Sequence, residues 1–323
     1  MARQARIDYP GAFQHVIVRG IEKREIFIEE KDKYELINRL TNIITDSSVN
    51  CYAWSLMDNH FHLLLQTGET PLSKVMRRLL TGYAIYFNKR YGRKGYLFQN
   101  RYKSIVCDKD SYLLTLIRYI HLNPVKANII EYKKLSKYRW TGHKEILEGK
   151  SDLIKTNEIL SYFDKREKVA RKQYLEYILD GLNLKENYEG DGLIRSAGGL
   201  KEVIKRKKED REIYDDRILG DGCFVEKVLK DMNEKERKYG NIKNIEDLIE
   251  KVSKIYKIDK NEILETRKHR VRDARAVIVF IGNEELKKTL TEIGKILNIS
   301  HVAAGKLKAK GKNILLGKKI DFL

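Results

Sequence analysis

Across residues 1–150 apolar runs of two different periods follow one another in the order strand, helix, strand, strand, helix, strand, helix, and few architectures accept that order. Ala12 to Arg19 is strand-like, and Lys31 to Ile44 sets Tyr34, Ile37, Leu40 and Ile44 on one helical face. Cys51 to Met57 and Phe61 to Gln66 are two further strands. Residues 71–90 form a second helix with Leu72, Val75, Met76, Leu79, Leu80, Tyr83 and Phe87 as its buried side. Lys103 to Cys107 is a short strand. Asp108, Asp110 or Ser111 then caps a helix whose apolar face is Leu113, Leu116, Ile117 and Ile120. Strands split around helices in this way define an α+β, ferredoxin-like sandwich.

One of these strands carries unusual cargo. In SLMDNHFHLLLQTGE, His60 and His62 stand two residues apart and so project from one face, while Phe61 and Leu63 project from the other. A histidine in a strand is ordinarily a hydrogen-bonded core residue. Two on one face suit a metal ion, because neutral imidazoles are good ligands and sharing a face needs no backbone strain. Two ligands do not complete a site, so others must come from elsewhere.

A chain of 323 residues, 42% hydrophobic and 34% charged, can bury a sizeable core in two or three domains. No stretch has the roughly 18 apolar residues of a membrane span, and MARQARIDYP lacks the apolar centre of a signal peptide. The expected location is the cytoplasm, at the nucleoid, with no membrane partner. Cys51, Cys107 and Cys223 lie far apart without CxxC spacing, which argues against disulfides and thiolate zinc. The net charge of +19 attracts polyanions, nucleic acid first among them.

That charge is concentrated. Between Thr70 and Cys107 there are nine Lys and Arg and no acid, interleaved with Tyr83, Tyr86, Phe87, Tyr91, Tyr96, Phe98 and Tyr102. Bases stack on rings while cations hold phosphates, the combination that single-strand binders use. Tyr83 and Phe87 fall on the core face of the helix, so the loop YGRKGYLFQNRYKS is the better candidate, with Arg93, Lys94, Arg101 and Lys103 as the cations.

The helix after it ends in RYIHLNPVKANII. On a continuous helix Tyr119 and Asn123 would share a face, but Pro124 biases Asn123 away from the α region, so Asn123 is expected to cap a new turn instead. Among 19 tyrosines, a packed ring with a surface hydroxyl is the ordinary role for Tyr119. His15 and His121 are likewise expected to be structural.

Four motifs in order, FQHVIVRG, NHFHLLL, GYLFQNRYKS and RYIHLNPVKA, make residues 5–145 resemble the REP-associated tyrosine transposases, relatives of the single-tyrosine HUH transposases. The resemblance implies that His60 and His62 hold Mg²⁺ or Mn²⁺, that Tyr119 is the nucleophile, and that Asn123 completes the metal shell. It implies nicking and rejoining of single-stranded or hairpin DNA through a 5′-phosphotyrosine. Asp58 stands where the family commonly has proline, and Ile21 where it often has asparagine. Neither is a proposed ligand or the nucleophile.

Residues 151–238 read as a helical connector containing GLIRSAGGL, which lacks the Gly-Lys-Ser/Thr ending of a phosphate loop. In residues 239–323, TLTEIGKILNISHVAAGKLKAKG reads as helix, turn, helix with Ser300 as cap. Residues 240–311 resemble the DNA-binding domain of the replication initiator DnaA, although that protein's base-reading motif is not reproduced. Lys306, Lys308 and Lys310 are its candidate DNA contacts, for duplex DNA. A metal-dependent DNA transposase, monomeric or homodimeric, is the expected function. The alternative is a non-catalytic DNA-binding regulator on the same fold, and a hydrolase of small phosphoesters is disfavoured because no acidic two-metal ligands accompany the histidines.

Overall fold

The strands of the first half are apolar almost without interruption, as strands covered on both faces are. β1 (Phe13–Arg19), β2 (Asn50–Met57) and β3 (His60–Gln66) are buried except at their ends, and β4 (Lys103–Cys107) and the two-residue β5 (Ile218–Leu219) extend the sheet. In this computed structural model, which describes residues 6–184, 188, 215–240, 244–265, 269–286 and 288–317, the sheet order is β2-β3-β1-β4-β5. The first four strands pair antiparallel and β5 pairs parallel with β4. The order 2-3-1-4 is the one two interlocked βαβ units generate, so the α+β expectation holds.

Helices cover both faces. On one, Phe27 lies against Phe61 of β3 and Tyr83 of α2 (Leu72–Arg90), with ring centroids 6.4 and 5.7 Å apart. The buried residues of α2 are those its sequence marks, Leu72, Val75, Met76, Leu79, Tyr83 and Phe87, while Leu80 is half-buried. α1 (Glu30–Thr45) is rotated from its expected face: Asp32, Leu36, Leu40, Ile43 and Ile44 are buried, and Tyr34 is exposed against Trp140. The cause is Asp32, whose carboxylate accepts from the Ile28 and Glu29 amides and from the hydroxyls of Tyr86 and Tyr91. Burial alone would raise its pKa, but those hydrogen bonds outweigh burial and hold it below the usual carboxylate range.

α3 (Lys109–Lys126) covers the opposite face, capped by Asp108, which accepts from the Asp110 amide and the Ser111 hydroxyl. It runs unbroken through Pro124, correcting the expectation of a new turn at Asn123. Pro124 stands near the C-terminal end, where its missing N–H removes a single bond and the last turn is closed by Ala127 donating to the Asn123 carbonyl. α4 (His143–Glu148), α5 (Thr156–Ser161) and α6 (Glu167–Asp180) add Ile146, Ile159, Leu160, Ala170, Tyr174 and Ile178 to the same core.

Contacts divide the chain into Met1–Lys227 and Val228–Leu323, and the passage falls within α7 (Gly222–Gly240). The second unit is helical throughout its described residues: α8 (Ile245–Tyr256), α9 (Lys260–Glu265), α10 (Arg272–Glu284), α11 (Leu290–Ile296) and α12 (His301–Gly317). Ile245, Leu248, Ile249, Val252, Val277, Ile281, Ile293 and Leu297 form its core. Gly311 lets α12 approach α10, since a Cβ there would lie 2.1 Å from the Ala276 carbonyl oxygen. The Gly-rich stretch 192–200 and the charged helix expected after it lie outside the described residues. Among the described residues no helix is long and apolar enough to cross a membrane.

Candidate nucleic-acid and metal site

Paired residues of neighbouring antiparallel strands share a face, so the register that sets Arg19 opposite His60 and Ile17 opposite His62 puts both histidines on the face that α3 covers. His60 follows Asn59, whose side-chain Nδ2 donates to the Lys23 carbonyl at 3.1 Å. That bond fixes the amide, so the Oδ1 lying 2.6 Å from His60 Nδ1 can only accept. His60 therefore carries its proton on Nδ1 and its lone pair on Nε2. Lys23 and Glu22 both adopt left-handed backbone, with φ of 59° and 53°, a conformation held by the surrounding loop.

His62 is fully buried and its Nδ1 lies 2.9 Å from His15 Nε2, the two rings stacked with centroids 5.1 Å apart. Burial, then the charges of His15, His60 and Arg19, hold its pKa well below the ordinary imidazole value, so it is neutral. One proton serves the His15–His62 bond. When His62 supplies it, His62 too presents a lone pair on Nε2. Both histidines thus have one ring nitrogen held by a neighbour, the arrangement that orients metal-ligating imidazoles. His15, expected to be structural, belongs to the site through this bond.

Continuity of α3 places Tyr119 and Asn123 on one helix face. The Tyr119 ring stands edge-on to His62 and His15, with centroids 6.2 and 5.9 Å apart. It is 5% exposed, and Tyr188 packs against it at 5.1 Å. Asn123 is half-buried and its Nδ2 has no hydrogen-bond partner among the described residues. Rotated by half a turn, the same carboxamide would turn Oδ1 in that direction. No three His, Cys, Asp or Glu side chains among the described residues could hold a metal together, so an ion here would need an amide or substrate oxygens beside the two imidazoles. Two imidazoles suit a transition ion better than Mg²⁺, whose shell here would have to come mainly from the amide, phosphate and water oxygens.

The basic loop differs from its sequence expectation in one respect. Most of its rings are engaged: Tyr83 and Phe87 are core, Tyr86 and Tyr91 bond Asp32, and Tyr102 is buried beneath the Arg6 guanidinium at 4.0 Å. Only Tyr96, 85% exposed, offers an open face for stacking. Lys94, Arg101 and Lys103 are exposed, and Arg93 lies over the Phe87 ring at 5.7 Å. A cavity of about 250 Å³ is lined by Ile17, Arg19, Gln99, Asn100, Arg101 and Lys103.

In the second unit Thr289 caps α11 and the Ser300 hydroxyl accepts from the Ala303 amide at the start of α12. Lys306 is exposed on α12. Lys308 is committed elsewhere, to Glu284 at 2.5 Å and to Asn283 at 2.6 Å, and Lys310 pairs with Asp273 at 2.5 Å.

On the far side of α3, His121 Nδ1 and His143 Nδ1 each lie 2.9 Å from the Tyr174 hydroxyl. One hydroxyl can donate to only one of them, so the other imidazole donates to it. Burial lowers the pKa of both, His143 to about 4 and His121 well below its usual value, so this trio is neutral. The expectation that His121 is structural agrees with this placement.

Residues 11–123 match the family model described as transposase, IS200-like. This segment resembles the IS200-like transposases. It contains His60, His62, Tyr119 and Asn123. A solved REP-associated tyrosine transposase bound to a REP hairpin is 18% identical, covering 46% of this chain and 87% of that one with a TM-score of 0.39. No curated protein matches. The family match ends at residue 123, so the likeness of residues 240–311 to the DnaA domain finds no support in it.

Proposed function

We propose that the chain is a divalent-metal-dependent single-strand DNA endonuclease and strand-transfer transposase acting on hairpin or repeat DNA. The observation that carries this reading is the Tyr119 ring, set edge-on to His62 and His15 by a helix that continues through Pro124. His60, His62 and Asn123 would hold Mg²⁺ or Mn²⁺, which when bound polarises a non-bridging oxygen of the reacting phosphate. The Tyr119 oxygen attacks phosphorus, its proton passes to solvent, the bond to the 3′ oxygen breaks, and that oxygen takes up a proton as a 3′-hydroxyl. The 5′-phosphotyrosine keeps the energy of the phosphodiester. A second 3′-hydroxyl can therefore displace the tyrosine and rejoin the strand without ATP.

Arg93, Lys94, Arg101 and Lys103 would meet strand phosphates, with Tyr96 as a stacking platform. The α11 and α12 pair would act as a helix-turn-helix on duplex DNA, with Lys306 as its phosphate contact; the ion pair of Lys308 argues against a DNA role for that residue. A non-catalytic regulator is favoured by one observation: Tyr119 is nearly buried beneath Tyr188, which must move for a phosphate to reach it.

The two readings separate in one experiment. Wild type and Tyr119→Phe are incubated with labelled hairpin oligonucleotides and Mg²⁺ or Mn²⁺, and label travelling with protein through denaturing electrophoresis is measured. Capture by wild type and none by Tyr119→Phe, with binding retained, supports the enzyme. Capture by the variant would name another tyrosine, Tyr112 first, and no capture by wild type would favour the regulator.

A further inference from the structure

The cavity beside the histidines differs from the rest of the basic surface because the sheet builds it. Ile17 pairs with Lys103 on β4 and with His62 on β3, and Arg19 pairs with His60, so cavity and histidines lie on one sheet face on either side of β1. Adjacent strands are about 4.8 Å apart. A group in the cavity therefore lies one or two strand widths from the histidines. Its lining holds three cations, Arg19, Arg101 and Lys103, two amides, Gln99 and Asn100, and no acid. Two backbone bonds shape its far wall: the Gln99 N–H donates to the Arg19 carbonyl and the Ile21 N–H to the Leu97 carbonyl, each at 3.0 Å, pairing Gly20 with Phe98.

We infer that this cavity is a subsite for one nucleotide of the unpaired strand next to the reacting linkage, with its phosphate held by Arg19, Arg101 and Lys103. The inference rests on the proposed DNA reaction and adds where the neighbouring nucleotide goes. Three cations around about 250 Å³ neutralise a phosphate, and the volume lies just below the roughly 300–1,000 Å³ of pockets for drug-sized ligands, room for a nucleotide and not for a duplex. Gln99 and Asn100 give the site what a bare anion would not need, side chains that both donate and accept toward a base or sugar edge. The Arg19 charge also contributes to keeping His62 neutral, as a guanidinium near that ring would.

Binding to a fluorescent thymidine 15-mer tests this, using the full chain with Tyr119→Phe so that the outcome does not depend on whether wild type nicks. Arg19→Gln with Lys103→Gln removes two cavity charges; both residues are exposed, so the fold should survive. Lys133→Gln with Lys137→Gln removes two exposed charges elsewhere and serves as control. The expected result is a loss of affinity of about tenfold or more for the cavity pair, with the slope of log affinity against log salt reduced by about 0.7, the share of the one phosphate the cavity holds, and less than threefold for the control. Thymidine monophosphate should displace the oligonucleotide better than inorganic phosphate at equal ionic strength. Equal losses for the two pairs would reduce the cavity to part of a general field, and equal displacement by inorganic phosphate would make it a bare-anion site; either overturns the inference. Failure of label capture in wild type, with this pattern intact, would remove the nuclease reading and leave the subsite.

Discussion

Replacing His143 by asparagine should flatten the pH dependence of stability of the first unit. His143 is buried and neutral, held at about 4 against an ordinary value of 6.5. A depressed histidine contributes stability above its unfolded pKa and loses it as pH falls toward the folded value, because the unfolded chain takes up a proton that the folded chain refuses. The window is therefore pH 6.5 to 4. With 1.36 kcal/mol per unit, moving from pH 7 to pH 5 removes about 2 kcal/mol, and the full loss below pH 4 approaches about 3 kcal/mol. Asparagine keeps a polar group toward Tyr174 and cannot titrate, so its variant should escape that loss, while His121 stays buried in both proteins and loses only the smaller influence of the His143 charge. Both tryptophans, Trp54 and Trp140, lie in the first unit, so their fluorescence in urea titrations follows that unit alone. The expected difference in midpoint shift between pH 7 and pH 5 is on the order of 1 M urea. Identical shifts in wild type and variant, within about 0.5 kcal/mol, would show that His143 is not held neutral by burial.

Asn59→Ala should weaken Mn²⁺ binding by about 10- to 100-fold, as loss of an orienting partner usually does, measured by paramagnetic titration of the free protein. Gly20→Ala should lower stability by about 1–3 kcal/mol and Mn²⁺ affinity with it, because a Cβ there would lie 2.1 Å from the Arg24 carbonyl oxygen and force open the loop that holds Asn59. Tyr96→Ala should weaken single-strand binding by about 1–3 kcal/mol, whereas Tyr86→Phe, whose ring serves Asp32, should leave it unchanged. His60→Ala and His62→Ala should abolish label capture, with partial recovery at high Mn²⁺ because a weakened site still fills by mass action.

The strand and helix order was legible because both periods are strongly expressed, and the boundaries of β4 and the apolar face of α3 follow directly from residue pattern. What escaped were effects of pairing between distant segments. Nothing near His15 announces that β1 lies beside β3 in the register that brings its ring to His62, and nothing in DNH shows that Asn59 is fixed by a carbonyl from another loop. Period alone places Tyr34 in the core, and Asp32 overrides it by turning α1 about its axis. Pro124 has the sequence mark of a helix breaker, but its cost is small where only a few residues of helix remain. The loop rings looked like a stacking surface because sequence records aromatic character and not what the hydroxyls bond.

α3 has two sides, one offering Tyr119 to the sheet and the other holding His121 against Tyr174. During synthesis the motifs at residues 13–123 leave the ribosome before α6 does. Until Tyr174 arrives, His121 and His143 lack the hydroxyl that satisfies both, and that side of α3 is uncovered. A nascent or prematurely terminated chain would therefore hold every residue of the proposed chemistry without the contacts that complete its surroundings, so a segment more than fifty residues downstream of Tyr119 sets when the proposed site is first whole.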